Sequence, residues 1–375
     1  VRIGISCYPT YGGSGIVATE LAMALAERGD EVHVISYALP SRLTFLNSRT
    51  FFHEVVTPTY PLFENFPPYS LALTTKMVEV ARHAPLDVLH VHYAIPNAVS
   101  AVLAREIMAP TPLPVVTTLH GTDVTLVGND PNYLETTRWG VNRSDAVTAV
   151  SESLRRTTVE QLGTPNEIHV IPNFIDPARF EAARQLPGAC RWSQPGERLL
   201  VHISNFRPVK RVLDVIAIFE RVQKEVPARL LMVGDGPDRG KVEQYCREHR
   251  ICGSITFIGS LPLVEDVLVG ADLFLLPSES ESFGLSALEA MSCEVPVIAS
   301  NAGGLPEVVD DGLTGFLRPV GDVAGMAAAA LRLLGDEDLR RRFGEEARRQ
   351  AVTRFSQDAV VGRYRALYEK VTGLP

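Results

Sequence analysis

Lysine is scarce in this chain of 375 residues: five lysines stand against 31 arginines, a bias of genomic rather than functional character that makes each lysine conspicuous. The formal net charge of −8 lacks the positive excess that non-specific nucleic-acid binding needs, so no nucleic-acid partner is expected. Cysteine is sparse and scattered, at positions 7, 190, 246, 252 and 293, with no C-x-x-C and no ligand spacing to histidine. That excludes a disulfide framework and a zinc site, and fits reduced thiols buried as small apolar side chains. No apolar run approaches the roughly 18 residues of a membrane helix, so stable membrane insertion is not expected. The opening VRIGISCYP has no basic stretch followed by an apolar one, and a cytoplasmic protein is expected.

Two further absences narrow the chemistry. Gly12, Gly13 and Gly15 do not give G-x-G-x-x-G, and the second strand (31–39) ends in Ser-Tyr-Ala-Leu with no acidic residue for a ribose. A dinucleotide cofactor is therefore not expected; the glycines suit a loop that lets backbone approach a substrate. The single D-x-D, Asp336-Glu337-Asp338, sits in an acidic stretch near the C-terminal helices and reads as a solvated face.

What is present is an α/β chain too long for one ordinary core, so two domains are expected. Strand 2–6, helix 16–29 and strand 31–39 open a doubly wound domain. Residues 40–70, rich in proline and aromatics, read as an excursion over its surface. Helix 70–83, strand 87–93, helix 96–108, strand 114–123, helix 131–143, strand 146–151, helix 152–162 and strand 168–173 complete it. His90 and His92 share one strand face, and alternation explains them better than metal binding. His120, in Leu119-His120-Gly121-Thr122-Asp123, falls at the carboxyl edge of the sheet, where ligands of α/β folds bind. About twenty residues after IPNFID (171–176) read as linker. A second domain follows: strand 198–205, the basic loop FRPVKR, helix 212–225, strand 229–237 and strand 255–262.

The densest chemistry lies in ESESFGLSALEAMSCEVPVIASNAGGLPE. Strand LFLLPS (273–278) leads in, helix LSALEAMS opens after Gly284, and 296–299 is the next buried strand. Glu281 and Glu289 stand with seven residues between them, one ahead of the turn and one inside an apolar helix. The opening of such a helix presents backbone N–H groups to an anion, a phosphate above all. Glu289 can accept two hydrogen bonds from a ribose diol, and Glu281 can accept from a second sugar. Arg207 and Lys210, three apart in a turn, can converge on one diphosphate.

ESFGLSALEAM followed by P-V-I-A-S-x-x-G-G-x-P-E resembles the nucleotide-sugar signature of the retaining family-4 glycosyltransferases, and the likeness runs from Arg2 to about Val371. It implies the GT-B architecture, two Rossmann-like doubly wound domains facing across a cleft. The domains would be 1–173, with the C-terminal helix 355–375 crossing back, and 174–354. Lys210 falls on the family's lysine; Asn205 occupies the usual arginine place, and Arg211 stands where glycine is common. The resemblance implies that Lys210 and Arg207 hold the diphosphate with the helix start at Leu285 and Ser286. Gly259 to Leu261 would read the uracil, and Gly13 would approach the donor. Glu281 with the backbone of Phe283 and Gly284 would hold sugar hydroxyls, Glu289 the ribose, and His120 the 6-hydroxyl. His120, Lys210 and Glu281 are thus the expected catalytic residues, with no metal and no cofactor.

Within the family, CYPTYGGSGIVATELAMALAERGDEVHVIS, LHVHYAIPNAVSA, VTTLHGTDVTLVGNDP and HISNFRPVKRVLDV are similar to the branch that begins bacillithiol synthesis. That branch implies UDP-N-acetylglucosamine as donor, L-malate as acceptor and retained α stereochemistry. Malate's two carboxylates want cations and N–H donors. Lys76 is the first domain's only lysine, and Arg138 and Arg143 are alternatives; Ser14, Tyr93 and Thr118 line the expected cleft edge. Another small acceptor, a UDP-N-acetylglucosamine 2-epimerase and a non-catalytic sensor are the competing readings. A homo-oligomer stays open.

Overall fold

The computed structural model describes residues 1–10, 12–43, 48–57, 67–184 and 192–374. The chain divides into two compact units, Val1–Pro172 with Val360–Pro375, and Asn173–Ala359.

The first unit carries a seven-stranded sheet: β1 Arg2–Ser6, β2 Glu31–Ser36, β3 Thr50–Glu54, β4 Val88–His92, β5 Val115–Leu119, β6 Ala146–Ala149 and β7 Ile168–Val170. The order is β3-β2-β1-β4-β5-β6-β7, every pairing parallel. β4 and β5 are buried throughout, the polar His90, His92, Thr117 and Thr118 included, as central strands of a parallel sheet are. The second unit repeats the plan with β8 Arg198–Ile203, β9 Ala228–Val233, β10 Ile255–Gly259, β11 Leu273–Leu276, β12 Val297–Ser300 and β13 Gly315–Arg318. Their order is β10-β9-β8-β11-β12-β13. In both sheets the order reverses beside the first strand, between β1 and β4 and between β8 and β11, the switch points at which open α/β sheets bind ligands.

Two expectations need correction. The surface excursion contains a strand: β3 pairs with β2 at the sheet edge, and its half-exposed TFFHE lacks the apolar run of a central strand. The rest of that excursion, 44–47 and 58–66, lies outside the described residues, as does Cys190. The linker contains a helix, Pro177–Arg184, with proline at its first position, where a missing N–H costs nothing. Its Phe180 is fully buried and its Arg179 pairs with Glu265. The acidic trio is exposed, as a solvated face should be, and Asp336 also accepts from Leu339 N at 2.9 Å to cap helix Glu337–Phe355.

Among the described cysteines, Cys7, Cys246 and Cys293 are buried and Cys252 is exposed, all four as free thiols. No helix among the described residues is long and apolar enough to cross a membrane.

Candidate active site

In the second unit, β8 and β11 end side by side and each delivers one charged residue. After β8 the chain turns through a short 3₁₀ segment, Pro208–Lys210, and enters helix Val212–Gln223. After β11 it runs through Ser278 to Glu281. Lys210 Nζ lies 2.6 Å from Glu281 Oε1, and Ser278 Oγ donates to the same oxygen at 2.8 Å. The two loops are also stitched by backbone, Glu279 N to Val209 O at 2.8 Å. Both charged side chains are mostly but not wholly covered, 19% and 11% exposed, so a ligand can reach them.

The loop that carries Lys210 is held in a costly shape. Phe206 and Arg211 have φ of 41° and 50°, the left-handed region that glycine prefers. This explains why glycine is common where Arg211 stands; here Arg211 donates from Nε to Asp214 at 2.7 Å instead. Below the loop, His202 is fully buried between strands. A carbonyl can only accept, so its contact with Leu275 O at 2.8 Å requires Nδ1–H. Nε2 then accepts from Ser204 Oγ at 2.8 Å, while Ser204 Oγ receives Phe206 N at 3.3 Å. Burial pushes the His202 imidazole down to about 4, which keeps this arrangement neutral. Arg207 is exposed beside it.

The glutamate segment is equally fixed. Gly284, at φ 100°, turns the chain into helix Leu285–Ser292, whose start carries no side-chain cap. Leu285 and Ser286 occupy its first two positions, partly exposed. The Phe283 ring is buried edge-on against Phe355, centroids 5.6 Å apart, which leaves its backbone as the part able to meet a ligand. Glu289 is buried one turn into the helix. From the next loop, Gly304 N donates to Glu281 O at 2.7 Å. Gly303 is left-handed (φ 57°), and a Cβ there would stand 2.0 Å from the Glu281 carbonyl oxygen. Gly259 (φ 72°) and Leu261 lie at the end of β10, both partly exposed, with Gly259 O accepting from Gly234 N at 2.7 Å.

In the first unit the carboxyl ends of β4 and β5 carry His92 and, one residue past the strand, His120. His92 Nδ1 lies 3.0 Å from His120 Nε2. Burial pushes the His120 imidazole down to about 3, so it is a neutral ring at physiological pH. The loop beneath is organised by Asp123, fully buried, which accepts from Ala94 N at 3.0 Å, Gly121 N at 2.7 Å and His120 N at 3.1 Å. Burial raises its carboxyl above the ordinary range, against the pull of those amides. Tyr93, at φ 86°, shares a hydrogen bond with Thr122 Oγ1 at 2.8 Å and meets Tyr8 edge-on at 5.3 Å. Gly13 and Ser14 open helix Gly13–Glu27 after β1, also at the carboxyl edge, Gly13 exposed.

Four of the expected acceptor residues are not at that edge or not accessible. Thr118 is fully buried, sharing hydrogen bonds of 2.7 Å each with His90 Nε2 and Thr148 Oγ1. Arg138 sits midway along helix Leu134–Asn142 and Arg143 at its C-cap, the helix running back between the parallel strands β5 and β6. Arg138 donates to Leu162 O at 2.8 Å, and Arg143 pairs with Glu106 at 3.2 Å. Lys76, midway along helix Tyr69–His83, pairs with Glu79 at 2.8 Å. Sequence reasoning missed Ser278, His202, Ser204 and Asp123; only Asp123, inside His-Gly-Thr-Asp at a strand end, carried a visible signal, a small acidic residue able to collect turn amides. Among the described residues no cluster of three or more His, Cys, Asp or Glu is disposed to hold a metal ion.

Known proteins match this chain from end to end. Residues 11–179 match the Glycosyltransferase Family 4 model, and residues 192–350 the model of glycosyl transferases group 1. The N-acetyl-alpha-D-glucosaminyl L-malate synthase of Bacillus anthracis is 46% identical over 99% of this chain and 97% of its own. Among solved structures, sucrose-phosphate synthase from Thermosynechococcus elongatus superposes with a TM-score of 0.77 at 23% identity, covering 100% of both chains. Anabaena HepE in complex with UDP and glucose gives 0.79 at 20% identity, covering 97% of this chain and 98% of that one. At that identity the two structures speak for the fold, which is GT-B. With one family match on each unit and a relative nearly half identical throughout, the chain belongs to family 4 of the glycosyltransferases.

Proposed function

We propose that the chain moves N-acetylglucosamine from UDP-N-acetylglucosamine to the hydroxyl of L-malate, with retention at the anomeric carbon, as the first step of bacillithiol synthesis. The 46% identity over 99% of the chain to the Bacillus anthracis malate synthase carries this reading. The site supplies the chemistry it needs. Lys210, Arg207 and the uncapped start of helix Leu285–Ser292 offer two cations and backbone dipoles to a departing diphosphate. In the unliganded chain Glu281 occupies Lys210; an arriving diphosphate competes for the ammonium and frees the carboxylate to accept from sugar hydroxyls. Glu289 takes the ribose, Gly259 to Leu261 the base, and Gly13 approaches the donor.

In the reaction the malate oxygen bonds to the anomeric carbon as the bond to the β-phosphate oxygen breaks, and the hydroxyl proton passes to that leaving oxygen. His120 and the backbone of Phe283 and Gly284 steady the sugar. No metal or cofactor is required, because fixed cations cover the charge that a metal would otherwise neutralise. For the acceptor's carboxylates, Ser14, Tyr93 and the amides opening helix Gly13–Glu27 are the groups at the carboxyl edge. The reading assigns the enzyme to the cytoplasm, acting on small molecules.

The test is UDP release from UDP-N-acetylglucosamine in EDTA, with and without L-malate, and the anomeric coupling constant of the product. UDP formed only with malate, as an α-glycoside, is the expected result. Release without acceptor favours an epimerase or hydrolase; activity with a different hydroxy compound alone removes malate. Loss in EDTA restored by a divalent ion overturns metal independence.

A further inference from the structure

Beside His120 stands a second histidine with no assigned task. His92 is fully buried, its ring between those of His90 (centroids 4.4 Å) and His120 (5.2 Å). Its backbone carbonyl receives Asn97 Nδ2 at 2.8 Å, and Asn97 Oδ1 in turn receives Ser6 Oγ at 3.1 Å, so three elements fix the residue in place. Among the described residues its side chain makes one polar contact, from Nδ1 to His120 Nε2 at 3.0 Å. Nε2 is buried with no hydrogen-bond partner among the described residues.

A neutral pair in this contact has two arrangements. If His120 donates from Nε2, His92 must carry its proton on Nε2, and that buried N–H has no acceptor. If His92 donates from Nδ1, its buried Nε2 is a bare lone pair. Orphaned buried N–H groups are the rarer defect in folded proteins, so the second arrangement is favoured. It also decides the other ring: His120 then accepts at Nε2 and holds its proton on Nδ1, the nitrogen without a partner among the described residues.

We propose that His92 is a positioning residue which donates from Nδ1 to His120 and locks His120 as the Nδ1–H tautomer, a neutral donor for an oxygen of the bound sugar. This rests on the placement of His120 at the donor sugar proposed above. Its chemical content is selective: such a His120 gives a hydrogen bond to a hydroxyl or carbonyl oxygen and cannot accept a proton from the acceptor. The task of taking that proton stays with the leaving phosphate. Burial acts in the same direction, lowering the His92 imidazole well below its ordinary value through desolvation and its two histidine neighbours.

The experiment labels the full chain with ¹⁵N histidine and reads two-bond ¹H–¹⁵N correlations, which distinguish the two tautomers of each ring. His92→Asn and His120→Asn assign the two signals. Protons on Nδ1 of both rings are expected; a proton on Nε2 of either overturns the proposal. Kinetics give a second reading. His92→Asn places an amide N–H near the Nδ1 position and should retain most of kcat, whereas His92→Gln, reaching the Nε2 position, should lose about 10- to 100-fold, the usual weight of a partner that orients a working histidine. Equal losses in both variants overturn it. The tautomers are read without substrate, so failure of malate transfer leaves this result standing, and wrong tautomers in an active enzyme sink this inference alone.

Discussion

Lys210 and Glu281 come from different strand ends, 71 residues apart in sequence, and meet at 2.6 Å over the switch point of the second sheet. Each is the other's counter-ion in this structure. On the proposed function, the pair holds the two charges that a nucleotide-sugar would have to separate.

Removing either partner should harm activity far more than stability. Both side chains keep some contact with water, so Lys210→Ala should cost less than the roughly 3–5 kcal/mol of breaking a fully buried pair. The loss of a donor aimed at the leaving group should lower kcat by about 10²–10³-fold. Steady-state UDP release beside a urea titration separates the two effects. A variant that loses several kcal/mol but keeps its rate would show the pair to be structural.

Gly303→Ala tests how the glutamate is held. A left-handed alanine costs about 1–2 kcal/mol before any clash, and here the added Cβ would meet the Glu281 carbonyl oxygen at 2.0 Å. The expected outcome is a lower unfolding midpoint together with a raised KM for the donor, since the clash pushes on Glu281 itself. An unchanged KM would mean that the loop yields without disturbing the carboxylate.

Much of this was legible in the letters, and the reasons differ. β11 and β12, LFLL and VIAS, are buried on both faces, and a strand with two dry faces announces itself as an uninterrupted apolar run. The Glu281 and Glu289 spacing was readable because it follows such a strand and reaches into an apolar helix. β3 was not, because an edge strand with one wet side has no such run. Arg138 and Arg143 misled for a geometric reason: they follow the HGTD loop closely in sequence, but the nine residues of helix Leu134–Asn142, at about 1.5 Å each, carry Arg143 back along the sheet, and mid-helix Arg138 turns to Leu162 O. Ser278 was invisible because a serine at a strand end gives no signal until its partner is known.

Acid should loosen both units for the same reason. Burial pushes the His90 imidazole of the first unit down to about 3 and that of His202 in the second to about 4. An unfolded histidine titrates near about 6.5, so between these values the unfolded chain binds more protons than the folded one. Stability from these groups is complete above about pH 6.5 and falls as the pH drops, by up to about 1.4 kcal/mol per pH unit for each. Urea midpoints at pH 7.5, 6 and 5 should decline in that order, before most carboxylates protonate. A midpoint that is flat across this window contradicts neutral burial.

Tyr368→Phe probes the C-terminal helix Gln357–Thr372. The Tyr368 hydroxyl meets His90 Nδ1 at 2.7 Å inside the first unit's core, both residues almost wholly buried. Without it a buried ring nitrogen loses its partner, at a cost of about 1–3 kcal/mol. The midpoint of unfolding reads the loss. No change would mean that a neighbouring group takes over the bond.

The contact of Gly303 and Gly304 with the carbonyls of Glu281 and Ser282 makes two separate sequence signatures into one inherited part. In this chain each is the mould in which the other is cast. A chimera that imports the glutamate segment from a distant relative must import the glycine loop with it. A transplant that keeps this contact whole spans about thirty residues, Ser278 through Glu307.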